Sequence, residues 1–191
     1  MNIANKLTLL RILLVFVFMG IIWLPLSLEQ NIVLWVALVI FIIASLTDFL
    51  DGYLARRLNL VTNLGKFMDP LADKMLVTAA MVAIIDLGTK GILPAGTLPA
   101  WIVVFILLRE FMVSGIRLIA AGQNHVIAAS YLGKLKTVVQ MAMIIVYLLP
   151  LQWSFFPALA TCLAYLALIL TLVSGFEYLW KNKDVFKAEK H

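Results

Sequence analysis

The amino-acid sequence predicts an all-α integral membrane protein: a bundle of six transmembrane helices, preceded by a short N-terminal amphipathic interfacial helix, with both termini in the cytoplasm. Three observations carry this. The 191 residues are 64% hydrophobic with a mean hydropathy of +1.05, more apolar surface than a soluble domain of this size could hide. The apolar residues fall in runs of about 20, the length at which a helix crosses the hydrocarbon core. With the N-terminus inside, every lysine and arginine except Lys90 lies on the cytoplasmic side, as the positive-inside rule requires.

The elements follow in order. Asn2, Asn5 and Lys6 alternate with Ile3, Ala4 and Leu7, a pattern that permits a helix lying at the membrane surface; a plain basic flank of the first span is the alternative. Basic residues before an apolar run also suit a secretory signal, but WLPLSLEQN has no small-x-small cleavage site, so the first helix is expected to be retained. Spans are expected at residues 9–27, 32–55, 69–88, 98–119, 130–150 and 157–180. Their connections are short, so residues 1–191 read as one membrane domain. Cys162 lies within an apolar run and reads as packing, and His125 has no partner motif. The net charge of +5 suits an anionic lipid surface or phosphorylated substrates, and no basic domain suggests nucleic acid.

The polar residues concentrate at the cytoplasmic ends of spans 2 and 3. The segment TDFLDGYLARRLNLVTNLGKFMDPLADK reads D-x2-D-G-x2-A-R-x8-G-x3-D-x3-D and holds Asp48, Asp51, Asp69 and Asp73. A carboxylate at membrane depth costs several kcal/mol unless it is paired, hydrated or bound to metal. Spacings of three and four put each pair on one helix face, and the short connection makes the helices antiparallel neighbours whose faces can converge. Four such groups repel unless cations sit between them. Oxygen-only ligands favour a hard ion, Mg²⁺ or Mn²⁺, and four carboxylates suffice for two ions, a common device for phosphoryl transfer. Gly52, Ala55 and Gly65 leave room for a bulky ligand, Arg56 offers a fork to a phosphate, and Pro70 is tolerated in a first helical turn. Solvated interfacial carboxylates paired with Arg56, Arg57, Lys66 and Lys74 are the alternative for any one Asp, but a poor account of all four in register.

This segment resembles the signature of the CDP-alcohol phosphotransferase family, matching every defined position from Asp48 to Asp73, and the six-span layout extends the likeness along the chain. The resemblance implies transfer of a phosphatidyl or similar group from a cytidine diphosphate donor, such as CDP-diacylglycerol, to an alcohol, with release of CMP. It further implies that Asp48, Asp51 and Asp69 bind metal. Asp73 would take the alcohol proton and reach the second metal, while Gly52, Ala55, Arg56 and Gly65 line the nucleotide site. Asn5, Thr8 and Arg11 would add polar contacts from the N-terminal helix. A homodimer in a bacterial cell membrane, with the site facing the cytoplasm, completes what the family implies.

A second basic set, Arg109, Arg117, Lys134 and Lys136, lies on the same side and suggests an acceptor that itself carries phosphate. Arg109 and Arg117 are eight residues apart, close to two helical turns, so both can face one cavity. Pairing of Arg109 with Glu110 or a signature Asp, and interfacial snorkelling of Lys134 and Lys136, are the plainer readings. The segments at 5–11, 107–117 and 133–137 resemble those of bacterial family members whose acceptor is glycerol 3-phosphate. Inositol phosphate, serine or phosphatidylglycerol as acceptor, or a small metal-ion transporter, remain the alternatives. Against transport, the outer halves of the spans carry almost no charge.

Overall fold

The computed structural model describes residues 3–24, 28–57, 63–122 and 130–183, and all regular structure among them is helical. Six helices are described: α1 (Ile3–Trp23), α2 (Gln30–Arg57), α3 (Asn63–Thr89), α4 (Ala100–Gly122), α5 (Tyr131–Leu148) and α6 (Phe156–Lys181). Each expected span falls on one of them. One expectation is corrected: the N-terminal segment is not a separate interfacial helix but the first turns of α1. No proline or other strong breaker stands between Ile3 and Trp23, so nothing interrupts the hydrogen-bond ladder. By length and composition, Gln30–Thr47, Tyr131–Leu148 and Phe156–Lys181 can cross a membrane, and Leu7–Trp23 is a shorter apolar segment.

Helix ends follow local chemistry. Ser130 is extended at the start of α5, and its Oγ accepts the Gly133 N–H at 3.1 Å, satisfying one otherwise orphaned donor. Pro157 sits in the first turn of α6, where its missing N–H costs nothing. Between α3 and α4, the chain folds back so closely that a Cβ on Gly88 would stand 2.8 Å from the Thr97 Cα. The Thr97 hydroxyl donates to the Gly88 carbonyl at 2.9 Å, and buried Leu93, Ala95 and Leu98 close that end of the core.

Helix α3 is the centre of the bundle and touches α1, α2, α4 and α5; α6 packs on α4 and α5. The buried stripe of α2 runs Leu34, Ala37, Leu38, Phe41, Ala44, and that of α3 runs Leu76, Ala80, Ala83, Ile84, Leu87. These spacings of three and four put one apolar line of each helix on the shared core with Phe18, Ile102, Met143 and Tyr147. Large apolar residues also point outward, among them Leu13, Phe16, Trp35, Val39, Leu108, Val138 and Phe176. An apolar exterior of this extent is what a lipid-facing bundle presents.

Candidate active site

The signature segment spans the end of α2 and the start of α3, two helices in contact. Asp48, Asp51, Gly52, Ala55 and Arg56 lie on the last turns of α2; Gly65, Asp69 and Asp73 lie on the first turns of α3. Their register is informative. Asp48 follows Phe41 by seven residues and Ala44 by four, and Asp51 follows Asp48 by three, all helical spacings. Asp73 precedes Leu76 by three and Ala80 by seven, with Asp69 one turn further back. The side chains of residues 48–71, of Asp73 and of Asn5 lie outside the described residues, so the metal and nucleotide contacts expected of them do too. Thr8 and Arg11, one turn apart on α1, are both buried.

The described residues place a polar cluster beside this segment, centred on Glu110 in the middle of α4. Lys136 of α5 pairs with Glu110 Oε1, and Arg109 Nη1 lies 3.8 Å from the same oxygen. Lys74 of α3, the residue after Asp73, lies with Nζ 3.8 Å from Glu110 Oε2. It also donates to the Ser114 hydroxyl and, at 3.5 Å, to the Glu110 carbonyl. Among the described residues, three cations thus meet one carboxylate, a local concentration of charge. Lys136 and Arg109 are buried, so this charge sits where solvent screens it poorly. Lys74, Thr78, Glu110, Lys136, Thr137 and Gln140 line a cavity here, with Val77, Met81 and Leu107 as its apolar wall. Lysines on a cavity wall can hold an anion and orient a group attached to it.

Arg109 turns toward α6. Its Nη2 donates to the Ser174 Oγ at 2.9 Å, and its side chain passes so close to Gly175 that a Cβ there would stand 2.9 Å from Arg109 Cγ. Arg117 also faces α6, with its guanidinium carbon 5.6 Å from the centre of the Tyr178 ring. The two arginines do share a face, as their spacing predicts. Of the expected basic set, the structure brings Lys136 and Arg109 together at Glu110, but only Lys136 lines the cavity, and Arg117 and Lys134 are exposed. Sequence reasoning missed Lys74 and Glu110 as members of the cavity wall. The signal was present: Glu110 is a lone carboxylate amid an apolar span, a placement that calls for a partner.

A family model described as CDP-alcohol phosphatidyltransferase matches residues 1–173. The chain belongs to this family. Among its relatives, a Bacillus subtilis (strain 168) protein is 42% identical over 198 residues, covering 98% of each chain. An Escherichia coli (strain K12) protein is 37% identical and covers 93% of each chain. Both are named CDP-diacylglycerol--glycerol-3-phosphate 3-phosphatidyltransferase. A Mycobacterium tuberculosis (strain H37Rv) protein, named probable phosphatidylglycerophosphate synthase, is 39% identical over 93% of this chain and 79% of its own length.

Proposed function

We propose that this chain is a phosphatidyltransferase that moves the phosphatidyl group of CDP-diacylglycerol to glycerol 3-phosphate, giving phosphatidylglycerol phosphate and CMP. The observation that carries the choice of acceptor is the gathering of Lys74, Arg109 and Lys136 at Glu110, with Lys74 one residue along from Asp73. A phosphate held there brings the acceptor hydroxyl to the signature segment, and near-full-length similarity to proteins named for this activity supports the same reading. Family membership sets aside the transporter alternative.

In the reaction, Asp73 takes the proton of the acceptor hydroxyl. The freed oxygen attacks the phosphorus that bears diacylglycerol, the bond to the bridging oxygen breaks, and CMP leaves. Asp48, Asp51 and Asp69, with Asp73, would hold two Mg²⁺ or Mn²⁺ ions, whose chemistry is to offset charge on the attacking and leaving oxygens. The oxygen-only donor set and its helical spacing support this assignment. Gly52, Ala55, Arg56 and Gly65, with Asn5 and Thr8, would bind the nucleotide; Arg109, Arg117, Lys134 and Lys136 would bind the acceptor phosphate. The protein is read as a six-span, N-in/C-in homodimer of the bacterial cell membrane with its site open to the cytoplasm and inner leaflet. Charge bias supports the orientation, and the family resemblance supports the dimer.

The test is CMP release by purified protein from CDP-diacylglycerol with a panel of acceptors. Glycerol 3-phosphate should be used well and glycerol, serine and inositol phosphate poorly; preference for any of those would overturn the named acceptor. Single cysteines placed near residues 60 and 125 should resist impermeant label in intact cells, and labelling of both from outside would overturn the topology.

A further inference from the structure

We propose that Gln140 and Thr78 set acceptor specificity by holding the central hydroxyl of glycerol 3-phosphate, the one that does not react. The inference deepens the reading of glycerol 3-phosphate as acceptor and rests on it.

The cavity wall has two polar levels. Lys74 on α3 and Lys136 on α5 are each followed, four residues on, by an uncharged polar residue that also lines it, Thr78 and Gln140. Four residues are about one helical turn, so these two form a second level farther along their helices. Gln140 is only 4% exposed, yet its side chain makes one hydrogen bond among the described residues, from Nε2 to the Met81 Sδ at 3.5 Å. A thioether is a weak acceptor, so this buried amide falls well short of its bonding capacity. Thr78 is in a similar state. Hydroxyls elsewhere in the helices, such as those of Ser45, Thr137, Thr161 and Ser174, donate back to a carbonyl three or four residues earlier. Among the described residues Thr78 and Thr171 have no such partner, and of these two it is Thr78 that lines the cavity.

Buried polar groups left unpaired are costly, so two that line one cavity indicate what enters it. The amide and the hydroxyl both donate and accept, and neither is charged. A neutral group with both roles suits them, whereas a phosphate dianion offers acceptors alone. Glycerol 3-phosphate carries such a group at its central carbon, besides the terminal hydroxyl that attacks. Its phosphate, in the acceptor reading, lies toward the lysines, and the second level is roughly 6 Å farther along the helices, within reach of a three-carbon chain.

The experiment uses the full-length enzyme with its metal and compares kcat/KM for glycerol 3-phosphate and for 3-hydroxypropyl phosphate, which lacks only the central hydroxyl. Wild type should favour glycerol 3-phosphate by about ten-fold or more, because the analogue leaves both side chains unpaired. Gln140→Met, similar in shape but without the amide, should reduce that preference to about three-fold or less, chiefly through a loss on glycerol 3-phosphate. Thr78→Val should lower the preference by about two-fold or more. A wild-type preference below about ten-fold would overturn the proposal, as would an unchanged preference in either variant. Equal losses on both acceptors with a fall in melting temperature would also overturn it, making Gln140 a packing residue. Should Gln140→Met fail to fold, Thr78→Val decides by the same ratio. If wild type uses glycerol 3-phosphate but does not distinguish the analogue, only the role of Gln140 and Thr78 falls. If wild type prefers an unphosphorylated acceptor, the acceptor reading falls with it.

Discussion

At one end of α3, Asp86 pairs with Lys90 at 2.8 Å and accepts the Trp23 indole N–H at 2.9 Å, with the lysine largely in solvent. Twelve residues earlier, about 18 Å along the same helix, Lys74 enters the cluster of Glu110, Arg109 and Lys136, where the last two are buried. The ingredients are the same, and the consequences differ. An exposed pair is worth about 0–1 kcal/mol because water serves either ion nearly as well. A set of several charges with buried members is expensive to desolvate, so its retention points to a ligand or to chemistry. Burial, rather than the presence of an ion pair, separates a fastening from a site.

The strongest way to break this contrast is at the signature itself. Asp48→Asn, Asp51→Asn and Asp69→Asn should each abolish measurable CMP release while leaving a folded protein, and excess chelator should do the same to wild type. Full activity in chelator would remove the metal from the account. Asp73→Asn should lose about 10²- to 10⁴-fold in turnover yet still bind CDP-diacylglycerol, since a positioned base acts on rate. Near-normal turnover would place the base elsewhere.

Effects at the basic residues should be graded by burial. Lys136→Met should raise the apparent requirement for glycerol 3-phosphate about ten- to a hundred-fold, as a charge-assisted bond is worth about 1.5–3 kcal/mol. Arg117→Ala and Lys134→Ala, at exposed positions, should raise it less, by about two- to ten-fold. Equal effects at all three would mean that the cavity at Glu110 is not the centre of acceptor binding. Gly175→Ala tests packing alone: the added methyl meets the Arg109 side chain and should destabilise by about 1–3 kcal/mol, read as a fall in melting temperature. The smallest effect is expected at the other end of α3, where Asp86→Asn should leave CMP release within about two-fold of wild type.

Much of the site was legible because its informative residues are close in sequence. Spacings of three and four between Asp48 and Asp51 and between Asp69 and Asp73 fix their helix faces whatever the bundle does. The shared face of Arg109 and Arg117 followed in the same way, and both reach α6. Lys74 was harder to place, since beside four acidic residues it reads as a snorkelling flank. The unbroken α1 was also missed: alternating polarity near the N-terminus suits a surface helix and the first turns of a longer one equally.

The sequence by itself determined the helices, their order, the membrane character and the signature on α2 and α3, because hydropathy and periodicity are properties of short stretches of chain. Only the tertiary structure decided which cations share Glu110, that Arg109 leans on Ser174 across 65 residues, and that Gly175 leaves it room. Those outcomes depend on which helix faces meet. That is set by close packing among α3, α4, α5 and α6, where many nearly equivalent apolar surfaces compete and no local pattern names the partner.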